Sequence, residues 1–178
     1  MGKQSRIEIM KEAIEQHAGE AVCREVMQGS ESATTPVKRA SWVKGAMERL
    51  DSLADESTRM AVMAQCGQQC AWRGYAKKIA GVKKTARTFA ELLDGIAQFW
   101  HIELGEDVIY LMYPQCYCGM VSAAKEPISS TYCLCSREFL VQAFSVGLGR
   151  NVQVDIVHTI MQGAPECRFA VHISPEQW

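Results

Sequence analysis

The chain has 178 residues, 48% of them hydrophobic, and 19 Lys and Arg against 20 Asp and Glu give a net charge of −1. That is the size of one ordinary domain with material for a core, and its charge balance argues against a disordered chain, an acidic tail or general attraction to nucleic acid. No apolar run approaches the roughly 20 residues that a membrane helix needs, and the N-terminus has no secretory-type apolar core, so the expectation is a cytoplasmic protein without a membrane partner.

Along the chain, Ile7, Met10, Ile14, Ala18, Ala21 and Val22 share one face and predict a single amphipathic helix over 5–27. Thr35 is a natural N-cap before Pro36, where a missing N–H costs nothing, and opens a second helix with Val43, Met47, Leu50 and Leu53 inward. Asp55 or Ser57 caps a third, whose stripe of Met63, Cys66 and Cys70 ends near Gly74. Residues 75–82 fit neither period well. From Thr85, Phe89, Leu92, Leu93, Ile96, Phe99 and Trp100 form the apolar side of a fourth helix. The basic residues Lys77, Lys78, Lys83, Lys84 and Arg87 read as a solvated helix face rather than a phosphate contact.

At His101 the period drops to two. Ile102 and Leu104 precede a turn at Gly105-Glu106-Asp107, and a strand follows over 108–113 until Pro114 ends it. Residues 122–130 read as a loop, and Cys133-Leu134-Cys135 as a strand-like step before Ser136 caps a helix. That helix carries Phe139, Leu140, Ala143, Phe144 and Leu148, and Gly149 ends it. Strands over 151–160 and 167–173 flank a turn at 162–165. The fold class is therefore α+β: N-terminal helices followed by an antiparallel sheet with one further helix packed on it. The prediction is a single domain over 1–178, mainly helical to residue 100 and mainly sheet from 101.

Eight cysteines carry the chemical signal. Cys66 and Cys70 stand four apart on a helix, and Cys116/Cys118 and Cys133/Cys135 stand two apart, spacings that place each pair on one face of a helix or strand. If the two C-x-C segments pair, four thiols converge, which suits zinc or an iron–sulfur cluster because soft sulfur donors hold both. Inert core thiols are the plain alternative and redox disulfides a third. The metal candidates are Cys66, Cys70, Cys116, Cys118, Cys133, Cys135 and Cys167. Trp100, Tyr110, Tyr113 and Phe144 are candidate pocket aromatics, with ordinary core the competing reading.

The run from Cys133 through Gly149 and Val152-x-Val154 to Gly163-x-x-x-Cys167-Arg168-Phe169 resembles the 4-vinyl reductase domain and the aminothiazoline-carboxylate hydrolase-like proteins. The resemblance implies a small-molecule-binding domain with a pocket between helices and a curved sheet. It also implies a metal, usually zinc, held by a cysteine before the helix, a Glu-x-x-Cys on the next strand and a cysteine after the turn. Cys133 matches the first position and Cys167 the last, but the middle two fall on Ile156 and Thr159, which carry no such ligand. Asp155 and His158 are their neighbours, and Cys135 with the other C-x-C remains available to rebuild the site. A hydrolase, if the protein is an enzyme, would draw on Cys135 as nucleophile or on metal-bound water, with His158 or His101 as base. The expected partner is a small-molecule ligand; a homodimer is left open.

Overall fold

The computed structural model describes residues 5–105 and 107–175. Helix α1 (Arg6–Val26) opens with a capping box, in which Ser5 Oγ accepts from the Glu8 N–H and the Glu8 carboxylate accepts from the Ser5 N–H. The expected unbroken helix is instead two segments meeting at Gly19, whose φ of 85° and ψ of 164° lie outside helical space. Thr35 and Asp55 cap α2 (Pro36–Leu53) and α3 (Glu56–Gln68) as their side chains predict. Leu53, expected inward, is 47% exposed at the end of α2.

The unassigned stretch is helical: α4 spans Arg73–Thr85 and buries Ala76 and Ile79, so tertiary packing decides what local pattern left ambiguous. Two of its lysines serve the fold, Lys83 by donating to the Leu148 carbonyl and Lys78 by lying 5.2 Å over the Tyr75 ring. Helix α5 (Phe89–Ala97) follows, capped by Thr88. Strands β1 (His101–Leu104) and β2 (Ile109–Tyr113) form the first hairpin; after a long irregular segment come α6 (Leu134–Leu148), β3 (Val154–His158) and β4 (Cys167–Val171). The sheet is antiparallel throughout, in the order β1-β2-β4-β3.

The Cys133-Leu134-Cys135 step is not a strand. Residues Ser130–Cys133 form a 3-10 turn whose start is held by Ser129 Oγ accepting from the Thr131 N–H, and α6 begins directly after it. Ser136 accordingly lies inside α6 rather than at its cap, while Gly149 ends the helix as expected.

Two apolar cores result. One joins α1, α2 and α3 to residues 120–133; the other joins α4, α5 and α6 to one face of the sheet, with Phe144 and Phe169 among its fully buried side chains. The opposite sheet face is polar: Arg168 pairs with Glu103 at 2.6 Å and lies 4.2 Å over Tyr110, and His172 meets Asp155 at 2.7 Å. Helix α6 links the cores because α3 and α4 approach it at glycines. A Cβ at Gly67 would stand 2.6 Å from the Cys135 carbonyl, and one at Gly147 would stand 2.6 Å from Ile79 Cβ.

Candidate functional site

A cavity of about 520 Å³ opens where the two cores meet. Its aromatic wall includes Tyr75 from α4, Phe99 and Trp100 after α5, Tyr113 from β2, Phe139 from α6 and Phe169 from β4. Tyr75 stacks on Trp100 with ring centroids 4.7 Å apart and planes 5° from parallel, and Phe139 meets Tyr75 edge-on at 5.6 Å. Tyr113 is edge-on to Phe169 at 5.8 Å. Of the aromatics singled out in the sequence, Trp100 and Tyr113 line the cavity. Phe144 stands behind Trp100 at 5.4 Å, and Tyr110 lies under Arg168 on the polar sheet face.

Six thiols line the same cavity: Cys70, Cys116, Cys118, Cys133, Cys135 and Cys167. Cys66 lines an adjoining crevice of about 20 Å³, which shares Arg6, Cys70, Tyr132 and Cys135 with the cavity wall. All seven candidates thus gather on two joined hollows, and Cys23, which donates to the Lys11 carbonyl, stands apart on α1. The eight cysteines are free thiols.

The two C-x-C segments do not pair as strands, because Cys116 and Cys118 lie in an irregular stretch and Cys133 and Cys135 at the start of a helix. Residues two apart on a helix diverge by roughly 200°, so the latter pair faces different neighbours. Cys133 Sγ donates to Thr159 Oγ1 at 3.4 Å, and Thr159 donates on to Gln162 Oε1 at 3.0 Å. Cys135 instead meets the fields of Cys66 and Cys70 across the close approach at Gly67.

Burial governs the chemistry of these groups by disfavouring their charged forms. It raises the Cys66 thiol to about 12, and raises Cys133 to about 11 although the Thr159 hydrogen bond pulls the other way. Cys135 and the Tyr132 phenol are held well above their ordinary values, again chiefly by burial. Cys116 and Cys167 are raised for the same reason, with the Ile160 N–H, 3.4 Å from Cys167 Sγ, acting against it. These six groups are therefore neutral hydrogen-bonding groups at neutral pH.

Among the described residues, no group of three His, Cys, Asp or Glu side chains is arranged to hold a metal ion. Thr159, at one of the positions where the 4-vinyl reductase resemblance places a ligand, is the hydrogen-bond partner of Cys133. Asp155 is turned to the polar sheet face and paired with His172. His158 is not on the cavity wall whereas His101 is, and among the described residues no histidine hydrogen-bonds to a thiol. The pairing of Cys135 with His158 is therefore not assembled.

Sequence reasoning missed Arg6 and Tyr132. Arg6 Nη1 lies 3.7 Å from Cys118 Sγ, which is itself 3.2 Å from Tyr132 Oη. Tyr132 adjoins the Cys133 motif, but nothing local marks Arg6, which reaches the site from the first turn of α1.

The chain belongs to the DUF6144 family. The family model, described as a family of unknown function, matches residues 2–178. No curated protein matches this DUF6144 member. Among solved structures it is similar to the phenol-responsive sensory domain of the transcription activator PoxR, determined with phenol, at 16% sequence identity. That likeness covers 79% of this chain and 76% of the other, with a TM-score of 0.40. No helix among the described residues is long and apolar enough to cross a membrane.

Proposed function

We propose that this protein is a small-molecule-binding domain that takes an aromatic ligand into the cavity between its two cores. The observation that carries the reading is the cavity itself: about 520 Å³, within the range of small-molecule sites, with a wall of preformed aromatic contacts and a few polar groups gathered at the thiols. The resemblance of the Cys133-to-Phe169 run to 4-vinyl reductase domains supports the same reading. A reducing, cytoplasmic setting, in which eight thiols stay free, goes with it. Its test is calorimetric titration with naphthol, a neutral two-ring probe. Saturable binding with a negative heat-capacity change is expected, since apolar surface is buried; no binding up to the solubility of the probe would sink the proposal.

A second reading is favoured by the gathering of thiols: a soft metal, zinc or an iron–sulfur cluster, held on the cysteine wall. The donor set fits such a metal, but the described arrangement contains no ready cage, so holding one requires the thiols to turn inward and lose their protons. Elemental analysis with thiol counting on anaerobically purified protein decides it. Stoichiometric metal with thiols shielded until chelation supports this reading, and metal-free protein with every thiol titratable after unfolding removes it. Hydrolysis of an aminothiazoline carboxylate is tested separately by turnover, with Cys135→Ala as the control.

A further inference from the structure

The polar end of the cavity has an unusual balance of charge. Arg6 is on its wall, and no Asp or Glu is among the residues that line it. The carboxylate two residues along α1, Glu8, is engaged with the Ser5 backbone N–H at 2.7 Å in the capping box. Among the described residues, Arg6 makes no ion pair with a carboxylate; its polar contact is Cys118 Sγ at 3.7 Å, and sulfur is a weak acceptor. Around it stand Cys70, Cys118, Cys135 and Tyr132, which share the wall and include no anion at neutral pH on the side of Cys135 and Tyr132, whose burial holds their protons. A guanidinium cannot lose its charge, so this end of an otherwise apolar chamber presents a permanent positive charge with unused donors.

We infer that the ligand of this cavity is an aromatic acid whose ring lies against Tyr75, Trp100 and Phe139 while its carboxylate is held by Arg6, with Tyr132 beside it. The inference rests on the small-molecule reading above and names the chemical class that reading leaves open. A carboxylate supplies the acceptors that this end of the chamber lacks, and Arg meets it through two parallel N–H donors, the strongest ordinary hydrogen-bonding arrangement. Arg6 is exposed, so its guanidinium stays in contact with the solvent from which an anion arrives.

The experiment compares naphthoate with naphthamide, which keeps the ring and loses the charge, by calorimetry on the full chain at neutral pH. Wild type is expected to bind naphthoate at least about tenfold more tightly than naphthamide, the ratio that one charge-assisted contact of ~1.4 kcal/mol gives. Arg6→Gln is expected to bring that ratio to about one, with the larger loss falling on naphthoate, and Arg6→Lys to keep part of the preference, since the charge remains but the fork is lost. Equal affinity for the two probes in wild type, or a preference that survives in Arg6→Gln, would overturn the inference and leave the cavity reading standing. Failure of both probes to bind the wild-type chain would overturn the cavity reading and this inference with it. Because Arg6 is exposed on the first turn of α1, its variants should melt with wild type, and a melting curve on each confirms that the comparison is between folded chains.

Discussion

At Cys66, burial first and the neighbouring Cys70 second hold the thiol in its protonated form. Its folded-state value of about 12 lies above the ordinary 9.0 of a free thiol, so between those two pH values the native chain keeps a proton that the unfolded chain has released. Stability from this group is full below pH 9, falls as pH rises through the interval, and is gone above the folded value. Urea denaturation at a series of pH values should show the unfolding midpoint dropping above pH 9, with a shallower drop in Cys66→Ala; parallel slopes in the two proteins would contradict the assignment. Cys133 offers a second reading at the same scale. With Thr159→Val its hydroxyl partner disappears and the chain is left with a buried unpaired thiol, at a cost of about 1 kcal/mol, readable as a lower melting temperature. The identity of the clustered cysteines is legible in their spacing, but their directions are not, because residues two apart share a face only on a strand and the chain supplies a 3-10 turn and a helix start. Arg6 was invisible for a different reason: a helix N-terminus carries no record of which distant loop it will face.

Helix α6 is the element that joins the two cores, and its neighbours reach it through glycine. A Cβ at Gly67 would stand 2.6 Å from the backbone oxygen of Cys135 and from the Cβ of Glu138, so Gly67→Ala must push α3 away from α6. The expected cost is about 1–3 kcal/mol of overpacking, with a melting temperature lower by several degrees. Gly74→Ala, where an added Cβ meets nothing within 4 Å, is the matched control and should change little. Similar melting curves for the two variants would contradict the close approach. Capping explains which elements were legible: Ser5, Thr35, Asp55 and Thr88 each accept from a backbone N–H in the first turn of the helix that they precede. Helix α4 has no side-chain cap and derives its order from Ala76 and Ile79 packing against α6, a tertiary cause that no local pattern carries. The ambiguity over 75–82 and the strand reading of 133–135 have this common origin.

At the scale of the whole molecule, helices first and an antiparallel sheet after them follow from the change of apolar period at His101, and that order is the one observed. What the order of elements does not encode is the space left where two cores meet. A protein of this size would ordinarily fill such a space, and here it is walled by aromatic rings already stacked on one another rather than collapsed into it. A ligand that binds only the folded chain must raise its melting temperature by mass action, by about 2.7 kcal/mol of stability when free ligand is a hundredfold above its dissociation constant. The most direct measurement is therefore a calorimetric titration of naphthol into wild type and into Ser136→Phe, which places a ring on the cavity wall from α6. Binding to wild type that weakens at least about tenfold in Ser136→Phe, with both chains folded, is the predicted result. Equal binding by the two, or binding by neither, would contradict the claim that this cavity is where the protein meets its ligand.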